Sequence, residues 1–220
     1  MNNHIKTISN FFAKNALQYD GEYCDKESKI ENYEIQKHIE NFIHIDDFVL
    51  DLGCGTGLFL NLNPHHIKYL GIDVCAEMLK VFHIKYPLFP YLQEDFNNMT
   101  IGANSVDAVS ALFSLFYSTD EIKTISEIHR VLKPNGKVFA IMINRLSLYN
   151  MKHLFPKTET NDKTLNREGY KYGYVYCNKH SKLELKKLFK GFRIEVVPLV
   201  GNRCIHKYLP HFWIVKGYKI

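Results

Sequence analysis

Short apolar runs alternate along this chain with longer segments whose apolar residues recur at helical spacing. A first helical segment spans about Ile5 to Ala16 and is followed by Tyr19-Asp20 and Tyr23. A second, near Ile30 to Phe42, leads into the apolar run Val49, Leu50 and Leu52. Tyr69 to Ile72 makes the next strand, and Ala76 to Lys85 a helix stopped by Pro87. A short strand near Tyr91-Leu92 precedes Val106 to Ala111 as the fourth. Glu121 to Val131 is helical, with Ile122, Ile125, Ile128 and Leu132 on one face, and Pro134-Asn135-Gly136 turns into a fifth strand, Lys137 to Ile143. From Asn144 to about Lys179 the rhythm breaks. Ser181 with Glu184 then predicts a capping box for a helix ending near Lys190-Gly191, before two last strands, Phe192 to Val200 and His211 to Tyr218. Repeated strand–helix units predict an α/β fold with a mainly parallel sheet covered on both faces, in one domain over residues 1–220.

The stretch VLDLGCGTG, Val49 to Gly57, adds chemistry to that pattern. Asp51 closes the first strand, and Gly53, Gly55 and Gly57 let the backbone bend and approach a ligand with no Cβ in the way. Leu58, Phe59 and Leu60 begin a helix whose N-terminal N–H groups face the turn and attract an anionic group. Asp73 follows the second strand, where a carboxylate holds ribose hydroxyls. A dinucleotide fingerprint needs glycine where Leu58 stands, and no Gly-Lys-Ser/Thr follows as in a P-loop. S-adenosylmethionine suits the residues better, with Asp51 and the turn taking its ammonium and carboxylate end and Asp73 its diol.

VLDLGCGTG resembles motif I of the class I S-adenosylmethionine-dependent methyltransferases, of the small-molecule type. GIDVCAEML (71–79), LQEDFNNM (92–99), SVDAVSALFSLFYS (105–118) and EIHRVLKPNGKVFAI (127–141) are similar, in order, to the family's later segments. The resemblance implies a seven-stranded Rossmann-like sheet ending in an antiparallel hairpin. It also implies S-adenosylmethionine as cofactor, with S-adenosylhomocysteine as product. Residue by residue, it implies Gly53, Cys54 and Gly55 at the methionine side, Asp73 and Val74 at the ribose, Met78, Asp95 and Phe96 at the adenine, and Ala111 with Leu112 at the fourth strand tip. Tyr19 lies where relatives fold a lid over the cofactor, so residues 1–31 are expected to be lid helices. No catalytic residue is evident; Tyr117, near where relatives carry histidine, is the candidate. In-line alignment of nucleophile, methyl and sulfur does much of the work, and a base is needed only where the acceptor loses a proton.

Composition and charge bear on the acceptor. Residues 146–220 hold 15 Lys/Arg against 5 Asp/Glu, and residues 1–145 hold 13 against 18. Lysines such as Lys186, Lys187 and Lys190 read as the solvated face of one helix. Residues 146–180, rich in tyrosine and lysine, are expected to be an insertion that chooses the substrate, with Tyr149, Lys152, Tyr170 and Tyr172, beside Tyr23 and Tyr117, as acceptor contacts. The expected activity is methyl transfer to an O or N atom of a small metabolite, such as an anionic sugar or biosynthetic intermediate. An RNA methyltransferase using the basic C-terminal third, or a catalytically silent cofactor-binding subunit, are the alternatives. Five cysteines show no C-x-x-C pair, and no run reaches the ~18 apolar residues of a spanning helix. A cytoplasmic protein without metal, membrane or nucleic-acid partner is expected.

Overall fold

The predicted alternation becomes seven strands among the described residues: β1 (Val49–Leu52), β2 (Tyr69–Asp73), β3 (Tyr91–Gln93), β4 (Val106–Ala111), β5 (Leu132–Ile143), β6 (Phe192–Pro198) and β7 (Phe212–Lys219). The computed structural model describes residues 3–65, 68–147, 177–201 and 210–220. The strands form one sheet in the order β3-β2-β1-β4-β5-β7-β6. β1 to β5 run parallel, and β7 pairs antiparallel with both β5 and β6, which gives the C-terminal hairpin at one edge. Because the order reverses direction between β1 and β4, the carboxyl ends of β1, β2 and β4 open a crevice at the switch point, where ligands of such sheets bind.

The helices are α1 (Asn3–Ala13), α2 (Tyr19–Glu22), α3 (Lys26–Glu40), α4 (Leu58–Leu62), α5 (Ala76–Lys85), α6 (Glu121–Val131) and α7 (Lys182–Leu188). The period-two pattern of β5 divides the core between the two sheet faces. Phe139, Ile141 and Ile143 join Ile35, Ile39, Phe59 and Phe82 in one cluster, whereas Val138, Ala140 and Met142 join Ile125, Ile128, Leu185 and Phe189 in the other. Tyr69 stacks between Phe59 and Phe82, both 5.9 Å away, and so locks α4 and α5 over β2.

Local chemistry sets the helix boundaries. Asp25 accepts the Ser28 N–H at 2.6 Å, so α3 begins at Lys26, one turn before the expected Ile30. Ser181 and Glu184 form the expected capping box. Lys186, Lys187 and Lys190 are exposed around buried Leu185, as a solvated face requires. Two expectations need correction. Ile122 is 79% exposed, because the buried stripe of α6 runs through Thr124, Ile125, Ile128 and Val131 instead. β5 begins at Leu132 and takes the Pro134–Gly136 turn inside itself, as a break in register with β4 at which Asn135 adopts a φ of 61°. No helix among the described residues is long and apolar enough to cross a membrane.

The core of the sheet holds an acid at the end of β1. Asp51 is 2% exposed and accepts a hydrogen bond from the Tyr69 hydroxyl at 2.9 Å. Burial pushes its carboxyl up to about 7, against the Tyr69 hydrogen bond and with help from the nearby Asp73 charge. An acid whose folded pKa exceeds its unfolded value of about 3.9 holds extra protons in the native state, so stability falls as pH rises from about 4 to about 7. We expect Asp51→Asn to flatten that fall, leaving the loss between pH 5 and pH 8 smaller than in the wild type by on the order of 2 kcal/mol. Urea unfolding at the two pH values measures it, and equal losses in both proteins would show that Asp51 is not the titrating group.

Candidate active site

The turn after β1 is built against β2. The N–H groups of Gly53 and Cys54 both donate to the Ile72 carbonyl, at 2.7 and 3.0 Å, and the Gly57 N–H donates to the Cys54 carbonyl at 2.9 Å. Gly53 and Gly55 adopt φ of 68° and 52°, a region glycine enters without steric cost. At Gly53 a Cβ would stand 2.4 Å from that of Ser114, whose hydroxyl donates to the Leu52 carbonyl, so the β4 loop can close directly onto the turn. At Gly55 a Cβ would stand 3.5 Å from Met78 Cε, at a position that lines a cavity.

Asp73, at the tip of β2, holds this turn. Its Oδ2 accepts the Gly55 N–H at 2.9 Å, and its Oδ1 accepts the Cys75 N–H at 2.8 Å. Burial raises its carboxyl above the ordinary range, while the N–H groups of Cys75, Gly55 and Val74 favour the charged form. A carboxylate has about four acceptor sites. The two backbone bonds orient it and leave capacity for the two donors of a vicinal diol. Asp95 is oriented similarly, its Oδ1 accepting from the Asn97 N–H at 2.9 Å and from Asn97 Nδ2 at 3.0 Å.

These groups line a cavity of about 830 Å³, part of it open to solvent. Of the expected cofactor residues, Tyr19, Gly53, Cys54, Gly55, Asp73, Val74, Met78, Asp95 and Phe96 all line it. Asp51 and Ala111 do not. Asp51 is buried and accepts the Tyr69 hydroxyl from within the sheet. Ala111 is wholly buried, and the next residues, Leu112 and Phe113, face the cavity in its place. Burial drives the Cys54 thiol well above its ordinary pKa, which keeps it protonated and inert.

The resemblance implied lid helices over residues 1–31 but not which side chains they turn inward. Ile5, Ile8 and Phe12 of α1 line the cavity. α1 is seated on α5: Phe12, Ala13 and Tyr19 pack on Ala16, Cys75 and Met78. Asp20 ties the segment down, accepting from the Thr56 hydroxyl at Oδ1 and pairing with Lys85 Nζ through Oδ2 at 2.7 Å.

A second cavity, of about 1340 Å³ and partly open, adjoins the first. Tyr23, Phe116 and Phe212 line it with Ser28 and Glu31 of α3. Tyr19, Thr56, Leu58, Phe113 and Tyr117 line both cavities and form the wall between them. Tyr23 and Tyr117 thus stand where an acceptor contact is expected. Tyr149, Lys152, Tyr170 and Tyr172 lie outside the described residues. Among the described residues, no three His, Cys, Asp or Glu side chains are grouped to hold a metal.

Comparison with known proteins agrees with this geometry. Residues 50–140 match the family described as "Methyltransferase domain". The chain is 29% identical over 121 residues to a demethylmenaquinone methyltransferase of Chlamydia muridarum, an alignment that covers 52% of each protein. It thus spans about half the length of that curated relative. A solved S-adenosylmethionine-dependent methyltransferase of Thermotoga maritima superposes with a TM-score of 0.70 at 15% identity, covering 97% of this chain and 100% of its own. One from Aquifex aeolicus superposes with a TM-score of 0.63 at 22% identity, covering 94% and 98%. Residues 50–140 thus carry a methyltransferase domain, on a Rossmann-like sheet that shares the fold of solved S-adenosylmethionine-dependent methyltransferases, and S-adenosylmethionine is the cofactor that this match implies.

Proposed function

We propose that this protein transfers a methyl group from S-adenosylmethionine to an O or N atom of a small metabolite seated in the second cavity. The observation that carries this reading is the shared wall: a group carried at the first cavity's inner side faces the second across Tyr19, Thr56, Leu58, Phe113 and Tyr117. The cofactor supplies an electrophilic methyl on a good leaving group. The chain's own contribution is to place it. Asp73 would hold the ribose diol, Asp95 and Phe96 would meet the adenine beside Met78, and the Gly53–Gly55 backbone would cradle the methionine end. The N-terminal helices would serve as the lid, fastened by Asp20. Excluding water around the reacting atoms and fixing their approach are the main sources of acceleration such a site can offer.

The described lining of the second cavity bears on acceptor class. Tyr19, Tyr23, Phe113, Phe116, Tyr117 and Phe212 give it a largely aromatic surface. Its charges offset each other, with Asp20 and Glu31 against Lys29 and Lys85. That supports an amphiphilic, flat metabolite over an anionic sugar, whose cationic contacts would have to come from outside the described residues. The names of relatives such as demethylmenaquinone methyltransferase support the small-molecule class. The exposed lysines of α7 sit on its solvated face, and no described observation favours an RNA substrate.

Asp73→Asn should lower affinity for S-adenosylhomocysteine at least about tenfold, since hydrogen bonds to a charged group contribute about 1.5–3 kcal/mol each. The amide also leaves one of the two backbone N–H partners without its acceptor, so a modest fall in melting temperature should accompany the loss. Unchanged affinity by calorimetry would remove Asp73 from the cofactor site. For the acceptor, a metabolite panel scored by S-adenosylhomocysteine release should give a substrate. Tyr23→Leu should then lower kcat/KM for that substrate while S-adenosylhomocysteine affinity stays within about threefold, because lost acceptor binding appears in the specificity constant. A parallel loss of cofactor affinity would place Tyr23 in the other cavity.

A further inference from the structure

We propose that the ring wall between the two cavities is a charge-reading site, at which Tyr19 and Tyr117 favour the positively charged sulfonium of S-adenosylmethionine over the neutral thioether of its product. The inference rests on the reading of the two cavities as cofactor and acceptor sites. When the acceptor lone pair forms its bond to the methyl carbon, the S–CH3 bond breaks and sulfur keeps the bonding pair. An acceptor O–H or N–H releases its proton to solvent or buffer. Sulfur is thus the one cofactor atom whose charge changes in the reaction. A methyl group crossing from one cavity to the other has to leave its sulfur beside the surface they share.

That surface is three aromatic rings, a leucine and a threonine: Phe113, Tyr19, Tyr117, Leu58 and Thr56. Among the described residues it carries no ionised side chain of its own. The acids of the first cavity are committed elsewhere, Asp73 to the N–H groups of Gly55 and Cys75, and Asp95 to Asn97. Asp20, which reaches Thr56 from the second cavity, has its charge offset by Lys85 at 2.7 Å. The local means of recognising a cation is therefore the negative face of an aromatic ring, which attracts a cation within about 6 Å of the centroid and does so more strongly when water is excluded.

The rings are held in place by one another. Phe12 stands edge-on to both tyrosines, with centroids 6.0 Å from Tyr19 and 5.4 Å from Tyr117. Tyr23 backs Tyr19 at 4.9 Å, and Phe116 backs Tyr117 at 4.7 Å. Such packing fixes ring orientation before a ligand arrives. Ile5, Ile8 and Leu112 make the adjoining lining apolar, which keeps the interaction in the stronger, desolvated range. Transfer itself removes the attraction, so the product is released more readily than the cofactor.

The test is calorimetric and needs no acceptor. Kd values for S-adenosylmethionine and S-adenosylhomocysteine are measured on the full chain and on Tyr19→Leu, Tyr117→Leu and Tyr117→Phe. Each leucine variant should weaken S-adenosylmethionine about three- to tenfold while leaving S-adenosylhomocysteine within about twofold. Tyr117→Phe, which keeps the ring and removes the hydroxyl, should preserve the wild-type ratio. Sinefungin, which carries an ammonium group in place of the methylsulfonium, should follow S-adenosylmethionine. Retained S-adenosylhomocysteine binding certifies that each variant is folded. Equal weakening of both ligands would reduce the rings to an apolar wall and overturn the proposal while the cofactor site stands. Absence of binding by either ligand to the wild type would overturn the cofactor reading along with it.

Discussion

The hydrogen bond from the Gly55 N–H to Asp73 Oδ2 is the contact on which the site depends. It joins the tips of β1 and β2, and through the second oxygen of Asp73 it also holds Cys75, where α5 starts. One carboxylate thereby fixes the glycine turn, one side of the cavity and the start of the helix that carries Met78. The constraint works only because the turn can approach so closely. With side chains at Gly53 and Gly55 the backbone would be strained, and the β4 loop could not pack Ser114 onto the turn. A negative charge kept this far from water is costly, and the site tolerates it because backbone N–H groups already point at it.

The second-layer acid has a different role. Asp51 is one strand away from Asp73, yet it faces the sheet interior and Tyr69 rather than the cavity. With its carboxyl raised to about 7, it shares the burden of two neighbouring acids by staying partly protonated near neutrality. The N-terminal segment completes the enclosure from the outside. Asp20 bridges the Thr56 hydroxyl and Lys85, so a single side chain connects the roof to both the glycine turn and the last turn of α5.

The sheet was legible in the sequence because its strands are short apolar runs bounded by turn residues, and the parity of β5 shows both faces buried. The place of Asp73 in the cavity lining was legible because it closes a strand beside the glycine turn; its hold on the Gly55 and Cys75 N–H groups was not. The pairing of Asp51 with Tyr69 was not legible, because at the end of a strand the motif does not reveal which neighbour a side chain meets. At the tip of β4, named in the sequence as Ala111 with Leu112, the buried Ala111 side chain leaves Leu112 to line the cavity. Lid helices over residues 1–31 were implied by the resemblance, but which side chains they turn inward, Ile5, Ile8 and Phe12, was not, because helix periodicity carries no information about tertiary placement. The acceptor side was legible only in part. Tyr23 and Tyr117 line the second cavity, but so do Phe212 and Glu31, brought in from β7 and α3 by the fold alone.

A crystal structure of the protein saturated with S-adenosylhomocysteine tests the central claim most directly. The account requires the ribose hydroxyls on Asp73, the adenine beside Met78 and Asp95, and the sulfur against the wall of Tyr19 and Tyr117 with the second cavity open beyond it. Ligand density away from Asp73, or a sulfur walled off from the second cavity, would contradict it.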